Sequence, residues 1–445
     1  MLEKIHHPSE EILQTSGSSF KKITYGIVIG IFSYAVSYVV SIVIARVLGA
    51  KIFGDYAATI SALLMIAGFS LLGADAGLGR FIPSYLKNQD YAGSGGYIRH
   101  YTKRILLIHA VIFTIGIMVS LILYYLTGEH ILNIKSTHPF FFFIWGVPLL
   151  ALFSYMLKFI RASGHGNAYL LLSGVLNPLL SLIVLGIFVL FIRAFTIPET
   201  LVVYFLAVFG SAVIALIFSY LKTKLATIKK QIPRYESVTW KPVVYQLFFL
   251  VISTSYGKTI LLLAATAFDK DPKTAGFIAA VFTISSLIFV INSSIYAISG
   301  PKISVAVISK NKKEITSLLL NGVISNGLIN GGIFLVILIW GDRWLLHFGS
   351  EFIEAHLMLI IVSGAIFMLT VASPLAWIFQ QSGSLKEYTY FSFVNSVIYV
   401  IVCCLVAHFF GGFAAVIVYA LMQASVIIYL LTLAVRIWNK PEFMH

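Results

Sequence analysis

The stretch FFLVISTSYGKTILLLAATAF, residues 248–268, is long enough and apolar enough to cross a lipid bilayer. A transmembrane helix needs about 20 largely apolar residues. Lys258 nevertheless lies near the middle of the stretch. A lysine at the depth of the bilayer is costly and usually faces a partner or a water-filled cavity. The stretch therefore predicts a membrane-spanning helix that carries a functional cation.

The composition extends this prediction to the whole chain. Of its 445 residues, 59% are hydrophobic and 11% are charged, whereas soluble proteins are about half apolar and about a quarter charged. This predicts an all-α polytopic membrane protein. Basic residues collect in cytoplasmic loops, which accounts for the net charge of +14. Nucleic-acid binding would need a solvent-facing basic domain, and no segment is long enough to form one.

Neither a cofactor nor a metal site is indicated. The two cysteines, Cys403 and Cys404, are adjacent in an apolar run, so they cannot form a disulfide framework or a zinc site. The first apolar run is about 25 residues long, which is too long for the core of a cleaved signal. We therefore expect it to be a membrane span.

Twelve spans follow from the apolar runs, and the basic stretch between the sixth and seventh divides the chain. Because that stretch is polar and basic, we expect a linker without a buried face. The predicted spans are 23–47, 55–80, 102–127, 138–162, 168–192, 198–221, 242–268, 274–300, 314–340, 352–380, 388–409 and 412–436. The predicted regions are an N-terminal segment 1–22, a six-helix bundle 23–221, a linker 222–241, a second six-helix bundle 242–436 and a tail 437–445.

The distribution of basic residues orients the spans. If the N-terminus is cytoplasmic, the inner segments hold 23 lysines and arginines and the outer segments hold 7. Cytoplasmic loops carry this excess. We therefore expect both termini on the cytoplasmic side of the cell inner membrane.

The chain also contains an internal repeat. FGDYAATISALL from Phe53 resembles AGFIAAVFTISSL from Ala275, and a shift of 222 residues pairs Gly54 with Gly276. A second match pairs SGHGNAYLLLS from Ser163 with SGSLKEYTYFS from Ser382. Because six spans is an even number, the halves enter the membrane in the same direction. They should be related by a pseudo-two-fold axis along the membrane normal, with a substrate site between them near the midplane. The shift of 222 also pairs Ser33, Tyr34, Ser37 and Arg80 with Ser255, Tyr256, Thr259 and Lys302.

Three motifs carry a family resemblance. IARVLGAKIFGDYA (residues 44–57), ADAGLGRFIPSYLK (74–87) and FIRASGHGNAYLLLSGVLN (159–177) resemble segments of the polysaccharide transporters, or Wzx-type flippases. These belong to the multidrug/oligosaccharidyl-lipid/polysaccharide exporter superfamily. One departure is Ser84, where the family pattern suggests an acidic residue. An acidic role for that turn is therefore not expected here.

The resemblance implies a V-shaped pair of six-helix bundles around a central cavity. It also implies a cargo, a polyprenyl-pyrophosphate-linked oligosaccharide moved from the inner to the outer leaflet. Membrane lipid is a second expected partner, and polysaccharide-assembly enzymes are candidate protein partners. We expect a monomer.

The candidate substrate-binding residues form polar helix faces. Residues three and four apart share a face, so Ser255, Lys258, Thr259 and Thr266 predict one stripe, and Ser33, Ser37 and Ser41 predict another. The two stripes could line a wet cavity, or they could simply pack helices together. Lys258 could also snorkel to an interface. It is, however, about 24 Å along a helix from Pro242 and about 15 Å from Phe268.

Further charged residues lie near the span ends. Arg80 and Lys302 are candidates to attract a pyrophosphate at the inner mouth, although both also fit ordinary positive-inside residues. Asp75 is the candidate for binding a coupling proton or sodium ion, unless it simply bonds to a neighbouring helix. Arg46 is a candidate gate at the outer face, or a plain interfacial arginine. Lone histidines in apolar runs predict hydrogen-bonded packing residues: His109, His356 and His408.

Three functions remain open at this point. The first is the lipid-linked oligosaccharide flippase. The second is an ion-coupled drug or metabolite antiporter of the same superfamily, which would favour cationic cargo and need more carboxylates within the bundle. The third and remotest is a membrane-embedded glycan-modifying enzyme. We expect no enzyme and no catalytic residue, because the chain has no P-loop and no pair of carboxylates on a sizeable loop.

Overall fold

A computed structural model describes residues 16–130, 137–191, 196–223, 225–308, 311–381 and 385–438. Most of the predicted N-terminal segment and of the tail lies outside these ranges. Helices dominate them, and no β-strand occurs within them. The helices are α1 Ser16–Ser70, α2 Ala74–Lys87, α3 Tyr91–Thr127, α4 Phe140–Phe143, α5 Val147–Ala162, α6 Gly166–Leu170, α7 Asn177–Phe191, α8 Ile197–Lys222, α9 Leu225–Lys230, α10 Ser237–Ser255, α11 Gly257–Phe268, α12 Thr274–Ile308, α13 Lys312–Leu346, α14 His356–Gln381, α15 Leu385–Phe410 and α16 Gly412–Trp438.

The helices account for the predicted spans. Within the described ranges, ten are long and apolar enough to cross a membrane, and the bent pair α10–α11 adds an eleventh. The apolar part of α1 has 43 residues, which is about 64 Å of helix, twice a hydrocarbon core of about 30 Å. Gly49 has non-helical angles (φ 75°, ψ 168°), so it divides α1 into the first two predicted spans.

Two boundaries differ from the prediction. The predicted loop 81–101 is largely helical, because α2 continues to Lys87 and α3 begins at Tyr91. The side chain of Asp90 accepts a hydrogen bond from the Gly93 backbone and so caps α3. Hydropathy detects only the part of a helix that lies in lipid, so the polar extension was missed.

The repeat glycines meet between the halves. A Cβ added to Gly54 would lie 2.5 Å from the backbone nitrogen of Gly276, and one added to Gly276 would lie 2.0 Å from the carbonyl oxygen of Ala50. Two equivalent residues that contact each other must lie next to the axis that relates them. The pseudo-two-fold axis therefore passes between α1 and α12 beside these glycines.

Each half contributes a buried core, and one of the cores joins the halves. The first half packs around Leu63, Phe143 and Ile160. The larger core combines second-half residues with Ile44 and Phe53, which flank the break in α1. The halves are thus packed together at the Gly49 end of the molecule, which the sequence predicts to be the outer end.

The linker between the halves has a buried face, so the prediction of a linker without one is wrong. Ile228 and Trp240 are 3% and 0% exposed. The indole of Trp240 donates to the Tyr85 hydroxyl (2.9 Å), which donates in turn to Glu236 (2.7 Å). Burial raises the pKa of Tyr85 to about 12, so this hydroxyl keeps the proton that it donates. The composition of the linker did not indicate this buried face, because the two apolar side chains lie among many basic ones.

Candidate functional site

The seventh span is broken near the middle of the stretch 248–268. α10 and α11 meet at 47° across Tyr256. A break frees backbone carbonyls, which must find other partners away from water. Here Ser396 donates to the freed Ser253 carbonyl (2.5 Å), and Tyr399 donates to the carbonyl of Gly257, the first residue of α11 (2.9 Å). The side chains of α15 therefore stabilise the discontinuity.

Lys258 is the second residue of α11 and lies directly beside the break. Its side chain is partly exposed, and its ammonium lies 5.6 Å from the ring centroid of Phe282. Within the described ranges, no carboxylate pairs with it. A cation–π contact contributes about 0.5–1 kcal/mol at an exposed site and about 2 kcal/mol when desolvated, against a cost of roughly 2.5–3.5 kcal/mol for a lysine at the centre of a span. The contact with Phe282 thus offsets part of the cost, and the charge has no counter-ion among the described residues.

The break changes the predicted polar stripe. Ser255 ends α10, whereas Lys258 and Thr259 begin α11. A continuous stripe is therefore wrong, because periodicity assumes an unbroken helix. Thr259 is buried, and the Thr266 hydroxyl donates to the Leu262 carbonyl of its own helix (2.9 Å). The side chain of Ser255 lies outside the described residues.

The serines of the first span also have neighbours in their own half. A Cβ added to Gly174 would lie 2.0 Å from the Ser33 hydroxyl oxygen, so Ser33 packs against the π-helical turn Leu171–Leu176. Ser41 donates to the Ser37 carbonyl (3.0 Å), and Ser37 is partly exposed. Among the hydrogen bonds between described residues, none joins these serines to Lys258. Their role in substrate binding stays a prediction.

Asp75 has a partner that sequence reasoning missed. It opens α2, is 3% exposed, and forms an ion pair with Lys158 of α5. Tyr97, Tyr155 and, from the other half, Tyr256 are within electrostatic range of its carboxylate. Asp75 and Lys158 both lie a turn or two from the predicted inner end of their spans. Their similar depth in the predicted spans could have indicated from the sequence that the two residues pair.

The tyrosines of the repeat cross between the halves in opposite directions. Tyr34 of α1 donates to the Ile284 carbonyl of α12 (3.3 Å). Its repeat partner Tyr256 reaches the second span of the first half, where its ring lies 4.9 Å from that of Phe69. Each half thus sends an equivalent tyrosine to the second span of the other half.

Polar contacts close the predicted outer end between the halves. Arg46, the predicted gate, donates from Nε to the His347 carbonyl (2.7 Å). Glu351 accepts from the Ala50 backbone (3.0 Å) and pairs with Lys273 (3.1 Å). The hydrogen bond to Glu351 raises the pKa of Lys273. Arg46 therefore lies where a gate would act, although gating itself stays a prediction.

The remaining predicted residues are dispersed. Arg80 is exposed on α2, and Lys302 lies on α12 with its side chain outside the described residues. Within the described ranges, no group of three or more His, Cys, Asp or Glu side chains could hold a metal ion. The three lone histidines contact neighbouring helices or side chains: His109 bonds Ser70 (2.8 Å), His356 lies near Asp342 (3.0 Å), and the His408 ring packs on Phe268 (6.0 Å).

Solved structures share this fold. An inward-facing multidrug resistance MATE family transporter of the MOP superfamily matches with a TM-score of 0.67 and 13% identity, over 94% of this chain and 99% of that one. A MOP superfamily transporter from Pyrococcus furiosus gives 0.67 and 12%, over 94% and 95%. The eukaryotic MATE transporter AtDTX14 gives 0.66 and 13%, over 94% and 96%. None of the curated proteins compared matches the chain.

A family model identifies the chain more directly. The model described as "Polysaccharide biosynthesis protein" matches residues 19–304, which is more than half of the sequence. This range includes the three motifs that resemble Wzx-type flippases and the broken span with Lys258. The chain therefore belongs to the polysaccharide biosynthesis protein family and is a multi-pass membrane protein with the fold of the solved MOP superfamily transporters.

Proposed function

We propose that this protein is a transporter, a flippase that moves a polyprenyl-pyrophosphate-linked oligosaccharide from the inner to the outer leaflet of the cell inner membrane. The observation that carries the proposal is Lys258, which has no counter-ion among the described residues and lies beside the break in the seventh span. Transporters place substrate sites at such broken helices near the midplane. A cation without a carboxylate partner favours an anionic cargo, and the pyrophosphate of the lipid carrier supplies that charge.

The residues around the break suit a glycan. Hydroxyl groups both donate and accept hydrogen bonds, as sugar hydroxyls do. Tyr34 and Tyr256 cross between the halves close to the axis. In this proposal a central cavity opens beside Lys258 when the halves separate. The lysine then meets the pyrophosphate while serines, threonines and tyrosines meet the sugars.

The contacts at the predicted outer end support alternating access. Arg46 and Ala50 of the first half donate hydrogen bonds there to His347 and Glu351 of the second half. Each of these hydrogen bonds contributes little on exchange with water, whereas the apolar core around Ile44 and Phe53 must also separate for this end to open. The proposal assigns these hydrogen bonds to the outer gate, which opens after the cargo has entered from the inner leaflet.

The antiporter alternative is less well supported. A cationic cargo needs a free carboxylate within the bundle, and Asp75 is already paired with Lys158. A proton or sodium ion would have to compete with that ammonium group. Asp75 therefore remains a candidate coupling residue, not a candidate cargo site.

The test is transport by variants at position 258. In cells that depend on this protein for surface glycan, Lys258→Ala should abolish the glycan while protein level and membrane insertion stay normal. Lys258→Arg should keep partial activity, because a cation at this depth matters more than its shape. Lys258→Glu should be as inactive as the alanine variant.

A matched control separates this effect from a general loss of charge. Lys270 lies in the short connection between α11 and α12 and is exposed, so Lys270→Ala should export glycan normally. Efflux of a cationic dye should be the same with and without the protein. Full glycan export by Lys258→Ala at native expression would refute the proposal, and dye efflux that depends on Asp75 would favour the antiporter.

A further inference from the structure

A cavity of about 770 Å³ lies on the first half, away from the axis between the halves. Ligand pockets commonly measure roughly 300–1,000 Å³. The cavity is bounded by α3, by the turn between α1 and α2, and by the linker. The lining residues include Leu72, Arg99, Lys103, Arg104, Leu107 and Tyr235.

Three cations share one side of this cavity. Arg99, Lys103 and Arg104 are exposed on α3, within one and a half turns of helix. Within the described ranges, no carboxylate pairs with any of them. Like charges four residues apart on a helix destabilise it. Lys241 adds to the positive field, since it acts electrostatically on the nearby His100. An anion in the cavity would relieve this repulsion.

The other side of the cavity is apolar and continues toward the bilayer. Leu107 is 66% exposed and lies on the same face as Lys103 and Arg104, being four and three residues further along α3. It is about 12 Å along the helix axis from Arg99. Leu72 projects from the turn between α1 and α2, where its backbone has a positive φ of 50°. A leucine rarely adopts this conformation. The turn thus presents an apolar side chain beside the basic cluster.

We propose that this cavity binds an anionic glycerophospholipid of the surrounding leaflet, with the phosphate on Arg99, Lys103 and Arg104 and an acyl chain along Leu107 and Leu72. The lining residues come from the first half and the linker only, so the site does not depend on the separation of the halves. Basic pockets at the membrane surface take phospholipid headgroups in this way. Tyr235 of the linker lies at the same cavity, so the bound lipid would also hold the linker against α3. The proposal is independent of the cargo.

Lipid titration of the purified full-length protein, followed by native mass spectrometry, tests the site. The wild type should bind phosphatidylglycerol in preference to phosphatidylcholine. The triple variant Arg99→Gln, Lys103→Gln, Arg104→Gln should bind phosphatidylglycerol at least about tenfold more weakly. The control triple variant Lys222→Gln, Lys229→Gln, Lys230→Gln loses as many exposed charges from the linker region, and its affinity should change by less than about twofold.

The apolar side has its own variant. Leu107→Ser keeps every cation and should weaken binding of phosphatidylglycerol while leaving any binding of inorganic phosphate unchanged. Equal losses in the two triple variants would overturn the proposal, as would equal binding of phosphatidylcholine. Displacement of the lipid by inorganic phosphate or by polyprenyl pyrophosphate at equal concentration would also overturn it. Displacement by inorganic phosphate would mean that the acyl chain contributes nothing to binding. Displacement by polyprenyl pyrophosphate would assign the cavity to the lipid carrier.

Discussion

Two charged residues within the predicted spans differ in whether they have a partner of opposite charge. Asp75 is buried and has an ion-pair partner in Lys158. Lys258 has an aromatic neighbour, and no carboxylate pairs with it within the described ranges. A buried carboxylate without a partner would cost several kcal/mol. Lys258 is partly exposed and lies beside the break in its helix. Coupling through Asp75 and cargo binding by Lys258 are the roles that we propose for these two charges.

Removal of the Asp75 charge should show how much its ion pair with Lys158 contributes to stability. Asp75→Asn leaves the ammonium without its partner and should lower the free energy of unfolding by roughly 2 kcal/mol, less than for a fully buried pair because Lys158 is 28% exposed. Adding Lys158→Met should recover most of the loss. Thermal unfolding of the purified variants measures both effects, and an unchanged midpoint for Asp75→Asn would contradict the ion pair.

The same double variant tests the coupling role of Asp75. It keeps the fold but has no carboxylate at this position. If Asp75 carries the coupling ion, transport by the double variant should no longer respond to proton or sodium gradients in vesicles. A gradient response equal to that of the wild type would exclude the role.

At the scale of elements, the linker acts as a strap and not as a free tether. The backbone of Arg234 donates to the Ala92 carbonyl (3.0 Å), and its side chain pairs with Asp90 and Glu236. Trp240 packs against Tyr97, with ring centroids 5.3 Å apart. The strap thus connects the start of α3 to the start of the seventh span. A movement of α10 should therefore also move the start of α3 in the first half.

A pair of substitutions separates the buried from the exposed part of this strap. Trp240→Ala empties a fully buried site and should cost roughly 3–5 kcal/mol of stability. Ile232→Ala, in the same segment, removes a side chain that is 88% exposed and should change stability by less than about 0.5 kcal/mol. Thermal unfolding in detergent compares them. Equal midpoints would show that the strap is not packed as described.

At the scale of the whole molecule, the contact at the pseudo-two-fold axis limits how the two halves can move relative to each other. The halves meet at the axis through Gly54 and Gly276, where the backbones are too close for a larger side chain. Polar bonds that can exchange with water lie at the predicted outer end. Opening of that end would also have to separate the apolar core in which Ile44 and Phe53 pack against the second half.

Cross-linking of the predicted outer end should stop transport. In a background with Cys403→Ser and Cys404→Ser that still transports, Arg46→Cys with His347→Cys places thiols on the two halves. A short bifunctional reagent should then block export. The control pair, Asp342→Cys with His356→Cys, lies within the second half at the same end and should cross-link without loss of export. Normal export by the fully cross-linked first pair would exclude opening at this end.

The orientation of the molecule is tested by labelling. Single cysteines at Lys51 and Lys273 should react with an impermeant thiol reagent in intact cells, and those at Lys229 and Lys312 should not. A cysteine at Lys135, outside the described residues, should react as well. Labelling of the second group would reverse the predicted orientation and with it the direction of transport.

The sequence by itself determined the membrane class, the spans and the two-fold repeat. Spans follow from hydropathy because lipid forces each segment to satisfy its own backbone hydrogen bonds. The sequence paired Gly54 with Gly276, and the structure places the two glycines beside the axis. The sequence also singled out Lys258 and Asp75, because charges are rare at membrane depth.

Only the tertiary structure decided how those charges are used. The partner of Asp75 lies 83 positions along the chain, and no periodicity connects the two residues. The break at Tyr256 depends on hydroxyl groups that α15 supplies from 142 and 143 positions away. The basic cavity needs α3, the Leu72 turn and the linker to meet in space. Local sequence patterns indicate only which residues lie on each face of a helix. Ion pairs, helix breaks and cavities depend on which distant segments pack against those faces.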